Sequence, residues 1–383
     1  MSLLTVDSRK TTRSAEGAAA WRHIDWVLVL AVLGTASFGA LMVYSASHNR
    51  LQLDGIDPQL FLKRQILFIT LGLVAMGVTL LIDYRILRDF GPLLLAATCG
   101  VLVLVLSPLG STSRGTQAWF QLGPFQLQPS EFAKVATVIA LAGFCAERRG
   151  ELDLPNLGKA LGIGLLPIGL IYLQPDLGSS LVVVAIVAGI LLVAGAKPRH
   201  MAALLLVAVV GVVAVIQLGV LKEYQLDRLG AFLDPAADTQ RSSYNLNQSK
   251  IAIGAGGLTG RGLFEGTQTN LSYVPEQHTD FIFTVVGEEL GLVGGAILLV
   301  VFGLMIWRIW RIAALAKDLS GTLIAVGVLS MLMFQIFENV GMTMGIMPVT
   351  GIPLPFMSAG GSSTIAAFSA IGLVLNVHMR RFS

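Results

Sequence analysis

The chain has 383 residues, 54% of them hydrophobic and only 13% charged, where a soluble domain carries about 25% charged residues. Its formal net charge of +3 leaves no nucleic-acid footprint, so the placement of the charges matters more than their sum. A mean hydropathy of +0.75 puts the chain among polytopic membrane proteins.

The first 25 residues carry Arg9, Lys10, Arg13 and Arg22 and read as a cytoplasmic N-terminal segment. The apolar run behind them is too long for a signal-peptide core and lacks a cleavage pattern, so it is expected to stay as the first span. An apolar run of about 20 residues crosses a bilayer as a helix. Ten such runs follow, at about 26–46, 65–82, 90–107, 131–147, 159–174, 178–196, 201–220, 281–307, 320–339 and 363–379. They are long and uninterrupted, unlike the short alternating strands of a membrane barrel. The predicted fold is an all-α integral membrane protein of about ten transmembrane helices. One polytopic domain covers residues 26–379, with a large extracytoplasmic loop, 221–280, between spans 7 and 8. Cys99 and Cys145 lie inside apolar runs and read as buried thiols.

Orientation follows from the basic residues of the short loops. With the N-terminus cytoplasmic, the inner loops hold Arg85/Arg88, Arg148/Arg149/Lys159, Lys197/Arg199, Arg308/Arg311/Lys317 and Arg380/Arg381. Ten spans return the C-terminus to that side. The loops around 107–130, 174–178, 221–280 and 341–362 then face outward. The stretch 251–262 is too short and glycine-rich to cross, and a re-entrant or interfacial piece is expected. There is no convincing internal repeat, and no phosphate loop or nucleophile elbow, so an outward-facing enzyme would need a donor already activated and carried by a lipid.

Four constellations are candidates for chemistry. Asp280 stands where the polar loop meets an apolar helix, and a carboxylate there loses hydration. It reads as a general base, or as a helix cap shared with Thr279. Glu276 and His278 precede it, and ordinary loop hydrogen bonding is a better reading of them than a metal site. Glu288 would lie about 12 Å deeper along the helix, too far to share its proton. Gln128-Pro-Ser-Glu-Phe-Ala-Lys134 opens the fourth span. Glu131 and Lys134 share a helix face, and Pro129 and Ser130 are common helix-start residues. The set reads equally as a helix start with an internal ion pair, or as an ammonium held ready for a phosphate. In the preceding loop, Trp119 is an interfacial anchor or a sugar-stacking ring, and Arg114 a solvated charge or an anion contact. The Pro348–Ser363 loop is rich in glycine and proline, which implies non-helical backbone buried in protein or lining a cavity. Its Gly360, Gly361 and Ser362 read as an anion nest or as part of a structural plug.

Taken together these motifs resemble the SEDS (shape, elongation, division and sporulation) family of membrane proteins. The likeness runs from Tyr44-Ser-Ala-Ser47 to the last span. It rests on 128–134, Gln174-Pro-Asp-Leu-Gly178, Phe232-Leu-Asp-Pro235, Gln248-Ser-Lys-Ile-Ala-Ile-Gly254, His278-Thr-Asp-Phe-Ile-Phe283, Gly287-Glu-Glu-Leu-Gly291 and Thr350-Gly-Ile-Pro-Leu-Pro-Phe356. Gly266-Thr-Gln268 is nearer the RodA branch than the FtsW branch. The resemblance implies a peptidoglycan glycosyltransferase acting on lipid II outside the bacterial cytoplasmic membrane, in cell elongation and shape. It implies Asp280 as catalytic residue, with Glu131, Lys134 and Trp119 functionally sensitive; Gln128, Ser130 and Arg114 join them as substrate-binding candidates. The implied partners are lipid II, a class B penicillin-binding protein, the elongation machinery and membrane lipid. No cofactor is required by the motifs, although a divalent cation (Mg or Mn) would serve as an alternative to Lys134 or an outer arginine in neutralising a pyrophosphate. Ala118 and Ala359 depart from the family pattern, which commonly has arginine and tyrosine there. A lipid II flippase and a non-catalytic scaffold for the penicillin-binding protein are the alternatives, the first suited by the embedded charges Glu131, Asp176 and Glu338.

Overall fold

A computed structural model describes residues 23–113, 116–123, 125–148, 152–217, 230, 241–271 and 273–382. Each of the ten apolar runs falls on a helix: α1 (Trp26–Leu53), α2 (Leu60–Leu81), α4 (Gly91–Val105), α5 (Pro129–Glu147), α6 (Leu154–Leu173), α7 (Leu177–Val193), α8 (Pro198–Gln217), α11 (Ile282–Ala314), α12 (Leu319–Met344) and α13 (Gly361–Met379). Among the described residues seven are long and apolar enough to cross a membrane, and α4, α7 and α8 are shorter apolar helices. Several helices outrun their apolar stretch, because a helix continues through polar turns once it leaves hydrocarbon. Thus α2 starts at Leu60 and carries Lys63, Arg64 and Gln65 in its opening turns.

The loop before α5 is folded. It forms an antiparallel sheet of β1 (Ser111–Ser113), β2 (Thr116–Leu122) and β3 (Phe125–Leu127), in that order. Among the described residues the remaining α-helices are α3 (Tyr84–Asp89), α9 (Arg241–Gly256) and α10 (Thr267–Asn270). The Phe232–Pro235 match lies outside the described residues.

The segment expected to be re-entrant or interfacial is the end of α9 and the turn after it, and it is threaded into a break in α11. At Gly291 the backbone leaves the helix with φ 63° and ψ −161°, a conformation open to glycine. The orphaned groups are satisfied across the break. Leu292 and Val293 N–H donate to the carbonyls of Gly257 (2.9 Å) and Leu258 (3.0 Å), while Arg261 and Gly262 N–H donate to those of Glu288 and Glu289 (both 3.0 Å). Four exchanged bonds let irregular backbone persist where unpaired groups are costly. Glu288 acts as a distant cap for α10, accepting from Gln268 N (2.7 Å), Thr269 N (2.9 Å) and Thr269 Oγ1 (2.7 Å). Glu289 accepts from Ser45 Oγ of α1.

At the opposite end of the bundle, buried Asn376 of α13 ties off α2. Its Nδ2 donates to the carbonyls of Thr79 (2.6 Å) and Ile82, and its Oδ1 accepts from Tyr84 N (3.3 Å) and Arg380 Nε (2.9 Å). Tyr84 in turn donates its hydroxyl to Asp318 (2.8 Å); burial, then that carboxylate, pushes its pKa up to about 12, so it stays a donor throughout the ordinary pH range. Replacing Asn376 by Leu would strand these α2 carbonyls and cost about 1–3 kcal/mol. The apparent melting temperature of the purified protein should fall by several degrees; an unchanged value would show that the α2 end is satisfied elsewhere.

Candidate active site

At the start of α13 lies a cavity of 640 Å³. Its walls come from seven parts of the chain: the first turns of α2, the small sheet, the starts of α5 and α7, the 276–280 loop, and the 350–353 and 359–363 stretches. Asp280, Glu131, Lys134, Trp119 and Gln128 all line it. They are far apart in sequence and are gathered by the packing of helix starts.

Asp280 is half-buried, and the N-cap position of α11 falls to Phe281, whose side chain makes no capping hydrogen bond. The Asp280 backbone is held from α12. Asn339 Nδ2, on α12, donates to the Asp280 carbonyl (2.8 Å) and to the Ile352 carbonyl (2.7 Å). Ala359 N donates to the His278 carbonyl (2.9 Å). Gln277 is buried and donates to the carbonyls of Ala46 (2.6 Å) and Thr269 (2.8 Å). The loop is therefore held from α1, α12 and the stretch before α13 at once. Glu276 and His278 share the cavity wall, and the His278 ring packs on Phe61 with centroids 4.4 Å apart. Among the described residues no three His, Cys, Asp or Glu side chains are grouped to hold a metal ion.

Glu131 and Lys134 form an ion pair of 2.8 Å with side chains only 3% and 2% exposed. The ion pair expected at the helix start is present, and both of its residues also line the cavity. Gln128 is drawn in by Asp176, which accepts from its Nε2 (3.0 Å) while capping α7 through Ser179 N (2.9 Å). Ser130 is fully buried behind the wall, 3.4 Å from Asp176 Oδ2, and so supports the site without lining it. Trp119 sits on β2, half-buried against the cavity, a place suited to a sugar face. Arg114 lies outside the described residues. Gly360, Gly361 and Ser362 line the cavity at the α13 start, and Ser362 Oγ accepts from Gln128 N (2.9 Å). The 348–360 stretch is non-helical and residues 361–363 open α13, with Ile352, Leu354, Phe356 and Met357 buried and the flanks in the cavity wall.

Sequence reasoning missed Arg64, which joins Lys134 as a cavity cation, and Asn339, which holds the loop. Each carried a signal: a polar group in or beside an otherwise apolar helix is rarely idle. Asp176 was noticed only as an embedded charge.

A sequence profile of the FtsW/RodA/SpoVE family, described as cell cycle proteins, matches residues 25–382. The chain belongs to this family. It is 39% identical over 356 residues to the stage V sporulation protein E of Bacillus subtilis (strain 168), covering 92% of this chain and 96% of that one. It is 37% identical over 359 residues to the peptidoglycan glycosyltransferase MrdB of Escherichia coli (strain K12), covering 94% of each. A chain from a solved structure of a peptidoglycan synthase complex, described as coordinating polymerization and crosslinking, superposes with a TM-score of 0.80 at 34% identity, over 94% of this chain and 99% of that one. This FtsW/RodA/SpoVE chain is thus an all-α integral membrane protein, and its cavity is lined by residues from four of the quoted motifs, 128–134, 174–178, 278–283 and 350–356.

Breaking a buried ion pair from one side leaves an uncompensated charge, at about 3–5 kcal/mol, whereas replacing both partners with apolar groups costs much less. Glu131→Met and Lys134→Met alone should each lower thermal stability strongly, and the double change should lower it by far less than their sum. Additive losses would mean that water screens the pair.

Proposed function

We propose that this chain is a peptidoglycan glycosyltransferase that polymerises lipid II, with Asp280 as general base. The supporting observation is a half-buried carboxylate on a loop held from three elements, lining a cavity that is also lined by two cations and a tryptophan. The acceptor's GlcNAc 4-hydroxyl attacks the anomeric carbon of the donor sugar. The new glycosidic C–O bond forms as the bond to undecaprenyl pyrophosphate breaks. The hydroxyl proton passes to Asp280, and the leaving pyrophosphate takes the bonding pair. Its negative charge is met by Arg64 and by Lys134, which Glu131 holds in place so that it needs little reorganisation during the reaction. Trp119 supplies the flat apolar face for a sugar ring, and Gln128, held by Asp176, supplies an oriented amide.

The cavity is read as extracytoplasmic, with both termini cytoplasmic, from the basic residues of the short loops. The role is read as cell elongation and shape, from the RodA-like Gly266-Thr-Gln268. A class B penicillin-binding protein is the expected partner, supplying the cross-linking that a polymerase lacks. Residues 26–379 are read as one catalytic membrane domain.

General base assistance typically contributes about 10² to 10⁴ in rate. Purified Asp280→Asn protein that keeps the wild-type melting temperature should therefore polymerise fluorescent lipid II at least about a hundredfold more slowly. Polymerisation at the normal rate would eliminate Asp280 as the base.

A further inference from the structure

Glu338 is an embedded acid that the sugar-transfer reaction leaves unused. It lies on α12, buried behind the cavity wall and not part of its lining. Its Oε1 accepts from the Thr350 hydroxyl (3.0 Å). Its Oε2 is buried without a hydrogen-bond partner among the described residues. A buried carboxyl that makes one bond is a costly way to hold a fold. Other buried acids are better satisfied. Glu288 accepts from Thr267, Gln268 and Thr269, Glu131 pairs with Lys134, and Asp25 holds Arg308. Glu289 also has an unpartnered oxygen, but its hydroxyl partner, Ser45, is itself buried and outside the cavity wall. Thr350, by contrast, is half-buried and lines the cavity.

Backbone support in this region comes from the next residue on α12. Asn339 already joins the Asp280 and Ile352 carbonyls (2.8 and 2.7 Å), so the stretch around 352 is tied to the Asp280 loop without Glu338. Glu338 instead bonds a side chain, and so sets which way one hydroxyl points. That hydroxyl belongs to the wall against which Asp280 rests. A Cβ built on Gly351, next to Thr350 in the chain, would stand 3.4 Å from Asp280 Oδ2. Two successive residues of α12 therefore act on one patch of the wall, Asn339 on its backbone and Glu338 on its hydroxyl.

We propose that Glu338 is a positioning residue for sugar transfer, holding the Thr350 hydroxyl in a set orientation beside Asp280, where it meets the sugar. The inference rests on the glycosyltransferase reading above. Glu338 touches no substrate; its effect passes through Thr350. A wall hydroxyl whose orientation is set in advance needs no reorganisation when the sugar reacts, so its contribution falls on kcat.

The test is steady-state polymerisation of fluorescent lipid II by the purified full chain and its variants, each checked by its melting temperature. Glu338→Leu and Thr350→Val should each lower kcat about tenfold with KM little changed, the rate equivalent of one hydrogen bond. The double variant should be no slower than either single one, because both changes break the same link. Glu338→Gln, which keeps an acceptor carbonyl, and Thr350→Ser, which keeps the hydroxyl, should stay near the wild-type kcat. If Glu338→Leu does not fold, Thr350→Val alone must show the tenfold loss that Thr350→Ser restores. A wild-type kcat in Glu338→Leu or in Thr350→Val, losses that multiply in the double variant, or a Glu338→Gln variant as slow as Glu338→Leu would overturn the inference. Each of those results leaves the Asp280 assignment standing. Full activity of Asp280→Asn would instead remove the base, with the coupling of Glu338 to Thr350 still read from kcat.

Discussion

Hydrocarbon neither donates nor accepts hydrogen bonds, so every irregular turn of backbone at membrane depth must find its partners inside the protein. The functional part of this molecule is built from three such irregular pieces. The turn after α9 closes the break at Gly291 by exchanging four backbone bonds with α11. The 276–280 loop is held by Asn339, Gln277 and the Ala359 amide. The stretch before α13 is held by Gln65, which donates to the Ser358 carbonyl, and by Ser358 itself, whose Oγ accepts from Leu354 N. These ties are interdependent, since Asn339 bonds both the Asp280 and the Ile352 carbonyls. A side chain presented on such a loop has little freedom, which is what a catalytic carboxylate needs if its geometry is to be set before substrate arrives.

Buried charge alone does not mark the site. Glu288 and Glu289 lie on the same helix as the Asp280 loop and are fully buried, whereas Asp280 is only half so. Both are used for structure: one caps α10 and the other anchors α1. Asp25 likewise caps α1 and holds Arg308. Asp280 differs in lining a cavity of 640 Å³. Desolvation explains why such carboxylates are costly, and access to a cavity separates Asp280 from Glu288, Glu289 and their structural bonds.

The helical architecture was legible because span helices are written as long apolar runs, and every one of the ten fell on a helix. The ends were less legible. Polar turns such as Lys63-Arg64-Gln65 fall below any hydropathy threshold, yet they carry the cavity's second cation. The three-stranded sheet was not foreseen, since strands of three to seven residues next to glycine and proline resemble a loop. The identities of the site residues could be read from motifs, because Asp280, Glu131 and Lys134 stand in unusual company. Their meeting could not, because 146 positions of chain separate Lys134 from Asp280, and nothing local records that α5 and the 276–280 loop face one space. Asn339 was hidden for a related reason: its role is to hold backbone atoms of two distant loops, and a side chain that bonds backbone leaves no pairing pattern in sequence.

The account depends most on which face of the membrane the Asp280 cavity opens to. The direct measurement is labelling of an Asp280→Cys variant in intact cells with a membrane-impermeant maleimide, on a background where Cys99 and Cys145 are buried. The account predicts labelling of position 280 without permeabilisation. Labelling that appears only after the membrane is opened would place the carboxylate in the cytosol and contradict extracytoplasmic sugar transfer.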